Sequence, residues 1–148
     1  KRTLRIISTN WIHLVGFYVT TYFSMILFNS LGLETYTTET WSQTLLLNLI
    51  MIPFLFFTYG LMFIGGFFGA IIIMDLIGFN LTKTKTNLIL SLEWIIIIPP
   101  FATWAFEYDY WLWMTLIISF AVTQWMRKRR IEKINKKRAT TTHIAYGG

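Results

Sequence analysis

The stretch from Thr44 to Ile77 reads TLLLNLIMIPFLFFTYGLMFIGGFFGAIIIMDLI, and how it is read sets the number of times this chain crosses a membrane. A bilayer core of about 30 Å takes roughly 20 helical residues. The stretch is too long for one upright span and too short for two spans with a turn. Gly60, Gly65, Gly66 and Gly69 offer places to bend it. Two readings compete. One is a single tilted or kinked helix whose end lies along the cytoplasmic interface. The other is a tight hairpin of two short spans.

Charge decides between them. The thirteen Lys and Arg fall in three groups: Lys1, Arg2 and Arg5; Lys83 and Lys85; and the run from Arg127 to Arg138. Basic loop residues favour the cytoplasmic side. One crossing puts all three groups on one face and leaves the outer loops with only Glu34, Glu39, Glu107 and Asp109 as charges. A hairpin would set Lys83 and Lys85 opposite the amino terminus. The pattern predicts an all-α polytopic membrane protein of four transmembrane helices. The spans are about 6–29, 44–72, 87–106 and 110–126, both termini are cytoplasmic (or matrix), and a basic tail covers 127–148.

Composition agrees. Of 148 residues, 55% are hydrophobic and 14% charged, against about 25% charged in ordinary soluble domains. A soluble domain this small has too little interior to hide so much apolar surface. Trp41, Trp104, Tyr108, Tyr110, Trp111 and Trp113 gather near the outer boundary, and Trp11 and Trp125 near the inner one, as amphipathic rings do at a membrane interface. The first apolar segment is long for a signal-peptide core, and no small-x-small cleavage site follows it. The net charge of +6 is confined to a few segments, so nucleic acid is not the expected partner. There is no cysteine, which excludes disulfides and thiolate chemistry. Richness in Ile, Asn, Lys and Thr suggests an AT-rich genome. The expected location is a bacterial inner (plasma) membrane, with an organellar inner membrane as the alternative.

Few residues offer chemistry. Glu93 falls roughly 9 Å inside the third span, counted at about 1.5 Å per residue. A carboxylate in hydrocarbon is costly and turns inward, where such groups often mark proton or ion paths. His13 lies at a comparable depth in the first span, so the pair could carry a proton or satisfy itself as a structural contact. Asp75 is expected at the inner interface beside Lys83 or Lys85. Pro99 and Pro100 free backbone carbonyls and are expected to kink their helix. Gly65-x-x-x-Gly69, with Gly66 beside it, suits close packing of helix backbones. Arg127, Lys128, Arg129 and Arg130 suit lipid headgroups or an acidic partner. Beyond Arg138 the sequence reads as disordered.

No metal site, cofactor or catalytic set is expected. Only His13 is an intramembrane histidine, which excludes a bis-His haem, and no Arg is expected within the bundle. The leading expectation is a small accessory or structural subunit of a larger membrane complex, in contact with membrane lipids and with other subunits or copies of itself. The alternative is a small proton- or cation-coupled transporter or channel using Glu93 with His13. A membrane enzyme acting on a lipid or quinone ranks third, so the reading leans away from an enzyme.

Overall fold

The computed structural model describes residues 2–32, 40–58, 60–81, 85–108 and 111–146, and every element among them is helical. Helix α1 (Arg2–Ile7) passes through a 3-10 turn (Ser8–Asn10) into α2 (Trp11–Ser30). The hydroxyls of Ser8 and Thr9 donate back to the carbonyls of Arg5 (2.8 Å) and Ile6 (2.6 Å), a local bond that tightens the helix without ending it. Gly32, at φ 66°, closes α2 in the left-handed conformation that glycine adopts without a Cβ clash.

The deciding stretch forms two helices. These are α3 (Trp41–Phe57), capped by the Thr40 hydroxyl accepting from the Gln43 amide, and α4 (Gly60–Leu76), which ends in a π turn over Ile77–Leu81. Thr58, at φ −98° and ψ −80°, leaves the helical region, and its hydroxyl donates to the Phe54 carbonyl at 2.9 Å. Pro53 removes one backbone donor within α3, and Gly60 weakens helix continuity after it. The bend therefore falls at Thr58, while Gly65, Gly66 and Gly69 lie within an unbroken α4.

The break also has a place in depth. Asn29 donates to Thr44 at 3.1 Å, and the hydroxyls of Tyr22 and Tyr18 reach the carbonyls of Leu45 and Leu49, both at 3.4 Å. Helix α3 thus lies antiparallel along the second half of α2. Phe56 and Gly60 border the same small cavity as Thr21 and Leu112. The surplus length of the second segment accordingly sits at the end of the bundle away from the basic tail, as α3. At the basic end the segment finishes with the last turn of α4 and the π turn.

Helix α5 (Thr86–Glu107) runs unbroken through Pro99 and Pro100, and α6 (Leu112–Tyr146) continues past the basic run. The expected disorder after Arg138 gives way to helix as far as Tyr146. Extending a nucleated helix adds one bond per residue, and no Gly or Pro interrupts before Gly147.

Among the described residues, three helical stretches are long and apolar enough to cross a membrane: Arg2–Ser30, Gly60–Phe79 and Thr86–Glu107. Ser42–Phe57 is a shorter apolar helix. In α6 the apolar portion is limited to Leu112–Met126, after which the basic run begins. Helices α2, α4, α5 and α6 surround one core of Phe17, Phe67, Ile71, Ile97, Phe101, Leu116 and Phe120. Phe67 is its hub, with the rings of Phe17 at 4.8 Å, Phe120 at 5.6 Å and His13 at 5.8 Å. A second apolar cluster of Ile6, Phe79, Ile89, Leu90 and Ile131 closes the basic end.

Candidate functional site

Between these two apolar clusters lies a layer of buried charge. Each helix of the bundle passes from apolar to polar to apolar in steps of about one turn. In α2 with α1 the sequence is Phe17, then His13, Asn10 and Thr9, then Ile6. In α4 it is Ile71, Asp75, then Phe79 in the π turn. In α5 it is Ile97, Glu93, then Leu90 and Ile89. In α6 it is Phe120, then Thr123, Gln124 and Arg127, then Ile131. Residues three and four apart share a helix face, so the four polar steps meet at one level.

Arg127 is the centre. It is 0% exposed, as are Asp75 and Glu93. One terminal nitrogen lies 2.5 Å from both carboxylate oxygens of Asp75, and the other lies 2.6 Å from Glu93 Oε2. Its Nε donates to the Thr9 hydroxyl at 3.2 Å. The side chain of Gln124 donates to Glu93 Oε2, and Asn10 donates to Asp75 Oδ2 at 3.1 Å. A planar guanidinium with five donors suits this arrangement, whereas an ammonium would present a single point charge.

His13 borders the layer without a direct bond to Glu93. Its Nδ1 is 2.7 Å from Thr123 Oγ1, whose own hydroxyl donates to the Ser119 carbonyl at 2.8 Å. That hydroxyl proton is committed, so Nδ1 carries the proton of this bond and a neutral ring leaves Nε2 bare. Among the described residues Nε2 has no hydrogen-bond partner, and neither do Glu93 Oε1, Asn10 Oδ1 and Ser119 Oγ. Two carboxylates face one guanidinium, so the fully ionised layer holds one negative charge in excess. A single added proton neutralises it.

Comparison with known protein families, characterised proteins and solved structures finds no match to this chain.

Glu93 and His13 therefore share a depth, as their spacing suggested, and Asp75 and Arg127 join them. Arg127 stands apart from the three basic residues that follow it because its phase on α6 repeats that of Phe120 and Thr123. It turns inward, while Arg129 and Arg130 are exposed. Asp75 pairs with this buried Arg, and among the described residues no salt bridge joins it to Lys85; Lys83 lies outside the described residues. The exclusion of Arg from the bundle is corrected in the same way. Gly65, Gly66 and Gly69 would meet nothing within 4 Å of a built Cβ, so among the described residues they make no close helix approach. The close approaches are elsewhere. A Cβ on Gly16 would meet Thr123 Cγ2 at 2.1 Å, and one on Gly78 would meet Ile89 at 2.6 Å. Pro99 and Pro100 are exposed on α5.

Proposed function

We propose that the chain is a small integral-membrane accessory or structural subunit of a larger membrane protein complex. In this reading it crosses the bilayer four times, with both ends on the cytoplasmic (or matrix) side. The supporting observation is that the charged network is buried between two apolar clusters while the outer faces of the helices are apolar. A network of that kind fixes which helices meet and at what register. The small-residue strip of α4 has room for a Cβ at Gly65, Gly66 and Gly69 among the described residues and suits the backbone of a neighbouring helix. Mild-detergent extraction is expected to yield a stoichiometric assembly with other proteins. A clean, active homo-oligomer with nothing co-purifying would overturn the reading.

One observation favours a second reading, a proton- or cation-coupled transporter or channel: the excess carboxylate and the unpartnered Glu93 Oε1 and His13 Nε2. It requires that Glu93→Gln abolish flux in reconstituted vesicles with assembly unchanged. Flux that survives the substitution removes this reading.

A further inference from the structure

On the far side of Gln124 from the bundle core, α5 and α6 leave a groove of about 410 Å³ open to the outside. Its lining follows helix phase on both walls. Asn87, Ser91 and Ile95 are spaced four apart on α5, and Ala121, Trp125 and Lys128 lie along α6. The two helices are antiparallel, since Trp104 packs on Trp113 at one end and Glu93 meets Arg127 near the other. The groove therefore has a direction. Asn87, Ser91 and Lys128 stand at the end nearer the basic tail, and Ile95 and Ala121 lie deeper, about 10 Å along the helix from Lys128.

Charge has a direction too. No carboxylate lines the groove, and Lys128 makes no salt bridge among the described residues. The guanidinium of Arg129 lies 3.7 Å over the ring of Trp125, which adds a second cation at the same wall. The adjacent Trp94 is part-exposed and gives the deeper half an amphipathic flank. A cationic and hydrogen-bonding mouth at the membrane surface, leading to an apolar floor, matches one occupant: an anionic phospholipid of the leaflet on the basic side. We propose that this groove holds such a lipid, its phosphate on Lys128 with Asn87 and Ser91, and one acyl chain along Ile95 and Ala121. The site is separate from the buried charge layer and needs only the membrane reading. A protein that bound the lipid without any partner protein would leave the subunit reading to its own test.

The experiment uses the full chain in nanodiscs of phosphatidylglycerol or of phosphatidylcholine, with native mass spectrometry counting the lipids retained on release. Preferential retention of one phosphatidylglycerol is expected. Lys128→Gln is expected to weaken it about fivefold, the equivalent of about 1 kcal/mol for one basic residue near the surface. Ser91→Leu, on an exposed position of α5, is expected to weaken it as well, and Arg130→Gln to leave it unchanged. Equal losses for Lys128→Gln and Arg130→Gln would mean diffuse attraction by the tail and would overturn the proposal. Equal retention of the two lipids would do the same.

Discussion

Arg127 is held by two acids from two other helices, and removing it alone leaves both carboxylates buried without a counter-charge. Breaking such a network from one side typically costs about 3–5 kcal/mol, whereas replacing all its members by apolar or neutral groups is often harmless. Arg127→Leu is therefore expected to lower stability by about 3–5 kcal/mol in denaturant titration of the detergent-solubilised protein. Adding Asp75→Asn and Glu93→Gln to it is expected to recover most of the loss. A single variant as stable as the parent would show that the ionic contacts carry little. Glu93 was legible in the sequence because a lone acid in an apolar run is conspicuous. Arg127 was not, because it opens a run of four basic residues and only its helical phase separates it from Lys128, Arg129 and Arg130. Asp75 was hidden similarly, at the end of a span where nearby loop lysines drew attention from the Arg that pairs with it.

At the scale of the elements, the glycines divide by what faces them. The Cβ of an alanine at position 16 would collide with Thr123, a buried side chain fixed by bonds to His13 and to the Ser119 carbonyl. Overpacking of this kind costs about 1–3 kcal/mol. Gly16→Ala is expected to destabilise the isolated chain by that amount, and Gly65→Ala to leave it unchanged or slightly firmer, since α4 is open there. Thermal melts of the two purified variants distinguish them, and an equal effect would refute the assignment. Small residues at helical spacing read clearly in the sequence at 65–69, yet spacing does not say which face the fold covers. Gly16 and Gly78 have no such pattern, and only the paths of α6 and α5 beside them give them their role. The second segment was long enough to announce a break. Where the break fell depended on Pro53 and Gly60, with the Thr58 amide and hydroxyl both donating to the Phe54 carbonyl, and the surplus helix packed on α2.

For the whole molecule, the charge asymmetry of the loops makes a topological claim that the absence of cysteine renders easy to test. Single cysteines in place of Lys85 and Lys133 are expected to react with an impermeant reagent from one face of the membrane, and one in place of Gln43 from the other. Labelling of positions 85 and 43 from a common face would sink the four-span reading. The bundle was legible because apolar runs and basic groups alternate along the chain. The charge layer was only half legible, because it depends on four helices arriving at one level, and no helix records the register of its neighbours.

That layer also sets an order of biogenesis. Asp75 and Glu93 emerge from the ribosome before Arg127, so a nascent chain stopped after α5 must shelter two acids in lipid with nothing to balance them. Helix α6 brings the counter-charge that both acids wait for. Until it docks, the earlier ones have reason to stay loosely associated, exposed to membrane chaperones and to the proteases that clear unfinished proteins.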